Sequence, residues 1–233
     1  MNAGKTARER ARAELTREIK EEARRQLEIA GGDGLSLRAV ARELGMVSSA
    51  LYRYFPSRDD LLTALIIDAY DAVGAAAEEA AAKAPPADFR DRWRAACRAV
   101  RGWALITRNE YALIYGSPVP GYRAPDTTVV PAARVPVVLT GIVADAWHAG
   151  AISDSGRLPE GAVLSSQMTG LAAIVAPGVP PDVVARTVVA WTQLFGMISF
   201  ELFGQFARTI EPADELFGYA VEQMLDLIGI RDG

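Results

Sequence analysis

The chain has 233 residues, 50% of them hydrophobic, with 25 basic and 29 acidic side chains and a net charge of -4. This length supplies one large or two ordinary domains, and the hydrophobic share excludes long disorder. The single cysteine, Cys97, excludes an intrachain disulfide. The N-terminus lacks an apolar signal core, and no run reaches the roughly 18 apolar residues of a membrane span, so a cytoplasmic protein with no membrane partner is predicted.

Charge is distributed unevenly along the chain. Residues 1–62 hold 12 Lys and Arg against 10 Asp and Glu, whereas the remainder holds 13 against 19. A mildly basic head on an acidic body is typical of a protein that offers only one end to DNA. An imbalance this small also arises by chance, so local sequence patterns must decide whether the chain binds DNA.

The first predicted element is a long helix over about residues 8–30, after a loose tail. Its apolar side chains recur at helical spacing, and its other faces alternate acidic and basic residues, as a solvated surface does. Gly31-Gly32-Asp33-Gly34 predicts its end. The apolar stripe consists of Leu15, Ile19, Ala23, Leu27 and Ala30.

Residues 34–62 carry the most informative pattern in the chain. Ser36 stands where a helix N-cap is preferred, and the apolar residues from there to Leu44 recur at helical spacing. Gly45 follows, where a left-handed C-cap is wanted. A short helix ending in a tight turn is therefore predicted.

A second short helix is expected directly after this turn. Ser48 or Ser49 is predicted to cap it, and Pro56 to end it, because proline disfavours helical backbone in the residue before it. Ser57 then caps a third helix. Two helices joined in this way form a helix-turn-helix, whose second helix enters the major groove of DNA.

A helix–glycine–helix pair alone is more often a packing unit than a DNA reader, but the longer string is specific. It resembles the N-terminal domain of the TetR (tetracycline-repressor-like) family of bacterial transcriptional regulators. There a leucine–glycine pair ends helix two, a small residue opens helix three, and Leu-Tyr-x-(His/Tyr)-Phe and Pro-Ser-(Lys/Arg)-(Asp/Glu)-x-Leu-(Leu/Ile) follow. The matching residues are Leu44-Gly45, Ser48, Ser49, Leu51-Tyr52-Arg53-Tyr54-Phe55 and Pro56-Ser57-Arg58-Asp59-Asp60-Leu61-Leu62.

Short side chains at the start of the second helix of the helix-turn-helix predict sparse base readout, through serine hydroxyls and an alanine methyl that touches thymine. Two arginines, Arg38 and Arg53, are candidates for guanine contacts. The resemblance implies phosphate contacts from four further residues. Tyr52 and Phe55 also suit a core, which we favour for Phe55 only. The predicted DNA-binding residues are Ser36, Arg38, Ser48, Ser49, Ala50, Tyr52, Arg53, Tyr54 and Arg58, of which Ser36, Tyr52, Tyr54 and Arg58 are the phosphate contacts.

The rest of the chain is predicted to be helical, without strand-like alternation. The predicted fold class is all-α, with an N-terminal three-helix helix-turn-helix DNA-binding domain, residues 1–62, joined to a larger helical ligand-binding and dimerisation domain, residues 63–233. The expected helices cover about residues 59–84, 88–107, 109–115, 127–149, 162–176, 182–206 and 212–228.

The helix over 162–176 is uncharged, and in the helix over 182–206 charge is absent from Thr187 to Phe200. A helix that is apolar on most sides must be covered on most sides, and Gly196, Ser199 and Gly204 permit close approach. The pair resembles the C-terminal helices through which TetR-like repressors dimerise as a four-helix bundle; ordinary core packing is the alternative. The predicted dimer-interface residues are Trp191, Phe195, Ile198 and Leu202.

Aromatic residues are concentrated in the body. Most belong in a core, but aromatic walls are also typical of an apolar ligand pocket. TetR-like bodies commonly bind a small molecule that weakens DNA affinity, so the resemblance implies such a ligand, which would tilt the long helix over 59–84. The predicted ligand-binding residues are Trp103, Tyr111, Tyr115, Trp147 and His148.

Catalytic chemistry is not indicated. His148 is the single histidine, so a catalytic triad or a two-histidine metal site has no support, and no phosphate-binding glycine loop is present. No catalytic residue, metal or cofactor is predicted. We expect a homodimeric repressor, released from near-palindromic, double-stranded operator DNA by a small apolar ligand. The alternatives are a constitutive repressor whose body only dimerises and, from another class, a small-molecule enzyme.

Overall fold

The computed structural model describes residues 6–30, 34–153 and 161–231. Within these ranges the chain is helical, with one isolated antiparallel bridge between Ile152 and Ile230, so the all-α prediction is confirmed. Residues 1–5 of the predicted tail (1–7), residues 31–33 of the predicted helix end (31–34) and residues 154–160 of a loop predicted over 150–161 lie outside the described residues. The helices are α1 (Ala7–Ala30), α2 (Leu37–Glu43), α3 (Ser48–Leu51), α4 (Arg58–Lys83), α5 (Phe89–Ile106), α6 (Arg108–Tyr115), α7 (Val129–His148), α8 (Ala162–Val175), α9 (Pro181–Leu202) and α10 (Asp214–Ile228), with a 3-10 turn at Asp126–Thr128.

Helix α9 ends earlier than predicted. Its C-cap is Phe203, and Gly204 follows with a φ of 80°, in the left-handed region that ends helices. Gly204 therefore does not belong to the small residues of the helix, whereas Gly196 and Ser199 do.

The chain packs as two compact units. The first comprises residues 1–69 and 109–129, and the second comprises 70–108 and 130–233. The division falls within α4, further along the chain than the predicted boundary after residue 62. It also assigns α6 to the first unit, which contiguous sequence domains do not anticipate.

The first unit is built on an apolar core shared by its short helices. Helix α2 packs against both α1 and α3. The start of α4 contributes a pair of leucines, Leu61 and Leu62, that are both fully buried. The other buried core residues include Ile19, Ala23, Leu27, Leu37, Val40, Leu51 and Leu65.

Charged side chains join three helices of the first unit. Asp68 of α4 accepts from Lys20 and from Arg24 of α1, each at 2.8 Å. The Arg24 Nε lies 2.7 Å from the Glu110 carboxylate on α6. Arg24 is only 30% exposed, which makes this bridging pair less screened than a surface ion pair. These bonds explain why α6 belongs to the first unit.

The second unit has its core among α5, α9 and α10. Helix α9 packs against α8 and α10, and α5 packs against α9 and α10. Trp93 and Cys97 of α5 are fully buried, and this burial raises the pKa of the Cys97 thiol well above its ordinary value. From α10, the core receives Phe217, Ala220, Val221, Met224, Leu225 and Ile228.

Ion pairs surround this core. Arg94 donates to the Glu222 carboxylate at 2.6 and 2.8 Å, and Arg90 donates to it at 2.9 Å. These bonds, chiefly those of Arg94, lower the pKa of Glu222 to about 2. Arg101 of α5 holds Glu201 of α9 through two bonds of 2.7 Å. Helices α5, α9 and α10 are therefore tied by charge as well as by apolar packing.

Two helical segments, Asp126–His148 and Pro181–Leu202, are long and apolar enough to cross a membrane by length and composition alone. The prediction that no apolar segment of that length exists is therefore wrong. Buried core helices of soluble proteins can be equally long and apolar. In α9, Ala190, Leu194 and Ile198 are fully buried within the second unit.

Helices α4 and α7 approach closely in the second unit, at Gly74. Arg134 of α7 crosses α4 here, donating to the Asp71 carbonyl at 2.8 Å and to Glu78 at 2.6 and 2.9 Å. A Cβ added at Gly74 would lie 2.6 Å from the Arg134 Cβ, too close for any real contact. A side chain at residue 74 would therefore separate these helices.

We predict that Gly74→Ala destabilises the protein. Alanine at residue 74 improves helix propensity by about 1 kcal/mol. The collision with the Arg134 Cβ should exceed this gain by roughly 1–3 kcal/mol, so the net effect is destabilising. Gly102→Ala on α5 is the matched control, because a Cβ there meets nothing within 4 Å. Thermal unfolding should show a lower Tm for the first variant and an equal or higher Tm for the second. Equal stabilisation by both would contradict the close approach.

Candidate nucleic-acid interface

The turn between α2 and α3 depends on Gly45. Ser36 caps the start of α2, because its side-chain oxygen accepts from the Ala39 N–H at 3.4 Å. Gly45 has a φ of 64°, which a side chain disfavours, and the Met46 N–H then donates to the Ala41 carbonyl at 2.8 Å. The chain reverses within a few residues, as predicted for a helix-turn-helix.

Helix α3 is shorter than predicted. It is a single turn, Ser48–Leu51, and it ends before Pro56 is reached. Its N-cap residue is Val47, which makes no side-chain capping bond, so the prediction that Ser48 or Ser49 caps this helix is wrong. Both serines lie inside the helix and are exposed. Their hydroxyls are therefore not used as caps.

Two buried side chains anchor this segment to the first unit. Leu51 is fully buried and Phe55 is 7% exposed, which confirms the core position predicted for Phe55. Tyr52 lies between them in sequence and is 42% exposed. The segment thus presents its serines and Tyr52 to solvent while its apolar side packs on the core.

All the predicted DNA contacts lie in the first unit, on α2 and its cap, on α3, on the turn after it and at the start of α4. The turn residues and both helix starts are mostly accessible to a partner. The exposed members are Ser36, Arg38, Ser48, Ser49, Tyr52 and Arg53, and the half-buried members are Ala50, Tyr54 and Arg58.

Arg58 has bonds within the protein as well as an accessible face. Its Nε donates to the Leu35 carbonyl at 3.3 Å, and its Nη1 lies 3.4 Å from the Asp59 carboxylate. Its side chain is 30% exposed. A phosphate contact from Arg58 would therefore come from a guanidinium that is already oriented, which reduces the ordering cost of binding.

Three residues near this surface are absent from the predicted set. Val47 is 70% exposed and directly precedes α3, where its methyl groups suit a thymine methyl. Arg8 and Arg12 of α1 line a groove together with residues that follow α3. An apolar residue in the turn was the available signal for Val47. Nothing in the spacing of α1 indicates that it reaches the end of α3.

The predicted ligand-binding residues are divided between the units. Tyr111 is fully buried in the first unit, with its ring centroid 5.1 Å from that of Tyr115. Trp103 and Trp147 are half-buried in the second unit, and His148 is exposed there at the end of α7. Their assembly into one ligand site stays a prediction.

His148 lines an open groove of about 650 Å³ in the second unit. Its walls come from the end of α4, the start of α5 and one side of α7. Arg92 and Asp145, which form part of this lining, are joined by a 2.8 Å ion pair. The apolar lining includes Ala81, Ala84, Phe89, Val137, Val138 and Ile142.

The predicted dimer residues differ in exposure. Trp191 and Phe195 are half-buried and meet edge to face, with ring centroids 6.1 Å apart. Leu202 is half-buried, but Ile198 is fully buried within the protomer. Ile198 therefore cannot itself touch a partner unless the core opens.

Metal and cofactor chemistry has no donor set in the part of the chain that the structure describes. There, no group of three or more His, Cys, Asp or Glu side chains is arranged to hold a metal ion. The buried Cys97 thiol, with its raised pKa, is a poor nucleophile.

Comparison with known proteins agrees with this arrangement. Residues 19–65 match the model of bacterial regulatory proteins of the tetR family, and residues 93–224 match the tetracyclin repressor-like C-terminal domain. An HTH-type transcriptional regulator of Mycobacterium tuberculosis is 42% identical over 200 residues, which cover 84% of each chain.

Two solved structures also superpose on the chain. The crystal structure of SCO4313 has a TM-score of 0.77 at 34% identity and covers 95% of this chain and 100% of its own. A protein of unknown function from Rhodococcus sp. RHA1 has a TM-score of 0.70 at 27% identity, covering 94% and 96%.

A helix-turn-helix in one unit and an all-helical second unit define a DNA-binding regulator of transcription. The two matched domains and the mycobacterial relative then give the family: the chain belongs to the tetR family. The members of this family are transcriptional regulators, which confirms that the protein is not an enzyme.

We expect two arginines of this interface to act differently on DNA. Arg38→Ala should cost roughly 1–3 kcal/mol on a preferred duplex and relax base preference, because its exposed guanidinium suits a base edge. Arg58→Ala should weaken preferred and random duplexes alike and flatten the plot of log affinity against log salt by about one unit. Fluorescence-anisotropy titrations at several salt concentrations measure both effects.

The control for both variants is Arg25→Ala on α1. The Arg25 guanidinium is already held by Glu22 through two bonds of 2.8 Å, so it should contribute little to DNA binding. Altered base preference in Arg58→Ala, with an unchanged salt slope, would contradict a phosphate contact.

Proposed function

We propose that the protein is a cytoplasmic homodimeric repressor that occupies a near-palindromic operator and leaves it when a small apolar ligand binds. The observation that carries the proposal is an uncharged, exposed helix pair in the second unit. A single helix-turn-helix reads too few bases for useful specificity, so a DNA reader with an unpartnered apolar face is best explained as half of a dimer.

The exposed helix pair consists of α8 and α9. Helix α8 contains no charged residue, and neither does α9 between Thr187 and Phe200. Large apolar side chains on both helices reach solvent, with Ile174 80% exposed and Val189 53% exposed. We call this surface the α8–α9 face; it consists of Val163, Gly170 and Ile174 on α8 and Val189, Gly196 and Phe200 on α9.

Small residues make the α8–α9 face suitable for close packing. A Cβ added at Gly170 or Gly196 would meet nothing within 4 Å in the protomer, so each glycine leaves open space above its helix. Another helix can approach closely over such positions, as in compact helix bundles. The opposite side of α9 is occupied, because Ala190, Leu194 and Ile198 are fully buried.

Twofold symmetry then sets the DNA site. A face that packs on its own copy forms an isologous dimer, in which each protomer presents one helix-turn-helix. Two recognition helices placed roughly 34–36 Å apart would read half-sites one helical turn apart on one side of the duplex. The operator should therefore be nearly palindromic.

A dimer prediction follows from the α8–α9 face. Val189→Glu should convert the dimer into a monomer, because it buries an unpaired charge at the interface. Tyr219→Glu is the matched control, since Tyr219 is 63% exposed on α10, outside this face, and should leave the dimer intact. Sedimentation velocity measures the oligomeric state, and Tm shows that the protomer remains folded. A monomeric wild type at micromolar concentration would refute the proposal.

The support for ligand release comes from the aromatic residues and the groove of the second unit. The groove of the second unit, lined by His148, has a volume within the usual range for small-molecule sites. The half-buried Trp103 and Trp147 belong to the same unit but do not line this groove. The indole N–H groups of Trp93 and Trp191 are buried without an acceptor among the described residues. A ligand with an apolar body and a hydrogen-bond acceptor would satisfy such a group.

The ligand prediction is tested by linkage. An apolar compound that raises the Tm should also lower affinity for the preferred duplex by roughly 5- to 150-fold, and DNA should weaken the compound by the same factor. A promoter–reporter fusion should then show repression by the protein and relief by the compound. Trp147→Ala should abolish relief while keeping repression.

The constitutive alternative predicts a different result. In that case the protein represses the reporter, but no compound in an apolar library shifts both Tm and DNA affinity. Increased reporter expression when the protein is present without any compound would contradict repression itself.

A further inference from the structure

A basic groove lies beside the helix-turn-helix in the first unit, between two predicted DNA-binding residues, Arg53 and Tyr54, and a part of α1 that is absent from the predicted set. It has a volume of about 420 Å³ and combines two turns of α1 with the segment after α3. Three of its lining side chains are arginines, on two different elements. The lining consists of Arg8, Ala11, Arg12, Leu15, Arg53 and Tyr54.

The charge of this groove is uncompensated. Arg8, Arg12 and Arg53 form no ion pair with an acidic group in the part of the chain that the structure describes. Further along α1, by contrast, Arg17, Arg24 and Arg25 are each paired with carboxylates. Three cationic groups around one concave surface attract an anion.

Two acidic residues of α1 that are close to these arginines in sequence are held in other bonds. Glu9 accepts from the Thr6 N–H at 2.8 Å, and the Glu9 N–H donates to the Thr6 hydroxyl at 3.2 Å, a capping box that fixes the start of α1. Glu14 is occupied by Arg17. The groove is therefore built on an ordered helix whose carboxylates point to other partners.

Tyr54 also holds one of the guanidiniums of the groove in position. The Arg12 guanidinium lies over the Tyr54 ring, 5.0 Å from its centroid. A cation–π contact of this kind positions the guanidinium but leaves its charge and most of its N–H donors available. Arg53 and Tyr54 directly follow α3, so an anion in the groove would lie next to the helix that enters the DNA groove.

We propose that this groove binds a backbone phosphate of the operator duplex, with Arg8 and Arg12 of α1 as the donors together with Arg53. The two α1 arginines precede residues 19–65, which match the family model, so nothing in that match assigns them a role. A phosphate is the anion that a DNA-bound helix-turn-helix places beside α3, and guanidiniums suit its oxygens. The inference rests on DNA binding by the first unit.

The variant that tests the groove is Arg12→Gln, measured with Arg17→Gln as its matched control on the same helix. The probes are a duplex recovered by the wild-type protein from a randomised library and a random-sequence duplex. Loss of one phosphate contact should flatten the salt dependence by roughly 0.9 units of log affinity per log salt for each protomer. We expect several-fold weaker binding to both duplexes, unchanged base preference, recovery by Arg12→Lys, and wild-type behaviour of Arg17→Gln.

Three results would overturn the inference. Arg12→Gln with the affinity and salt slope of the wild type would show that no phosphate is bound there. A lower affinity with an unchanged salt slope and a lower Tm would show that Arg12 acts only structurally, through its contact with Tyr54. A changed base preference would indicate a base contact instead. Failure of the wild type to select any duplex would instead refute DNA binding by the first unit, and is distinguishable from all three.

Discussion

Helix α4 is the constraint on which both units depend. It is a continuous helix, Arg58–Lys83, whose beginning belongs to the first unit and whose end belongs to the second. In the first unit it is held by Leu61 and Leu62 in the core and by Asp68, which Lys20 and Arg24 share. In the second unit Arg134 bonds to Asp71 and Glu78, and this is possible because residue 74 has no side chain. A change that displaces α4 in either unit must break one of these sets of bonds.

The DNA-binding surface divides its work between short and long side chains. The start of α3 offers serine hydroxyls and the methyl groups of Val47 and Ala50, which discriminate bases weakly. Around it, Tyr52, Tyr54 and Arg58 suit phosphates, which supply affinity without sequence information, whereas Arg38 suits a base edge. With so little side chain at α3, the proposed dimer would draw specificity from half-site spacing and DNA shape as well as from base contacts. The geometry of that dimer would then contribute to operator recognition.

Much of the architecture is predictable because its determinants are local. The Ser36 cap, the left-handed Gly45 and the apolar spacing of α2 each act within one or two turns, and the structure agrees with all three. The cap of α3 was predicted wrongly because two adjacent serines are a strong signal, while Val47 takes the N-cap position without any side-chain bond.

Long-range features were beyond a single sequence. Helix α9 is apolar on most sides, so its pattern does not reveal that Ile198 faces the core while Val189 and Phe200 face solvent. The ion pair between Arg24 and Glu110 joins residues that are far apart in the chain, and it moves α6 to the first unit. The aromatic residues predicted to form one ligand site likewise share a composition, which does not determine a common location.

The buried state of Cys97 has a practical consequence. It is the only cysteine, it is fully buried, and burial raises the pKa of its thiol, so the reactive thiolate is suppressed. A cysteine introduced at the exposed Ser49 would then be the one thiol that maleimide reagents reach. In the proposed dimer, spin labels attached there would report the separation of the two recognition helices, with the native Cys97 left in place.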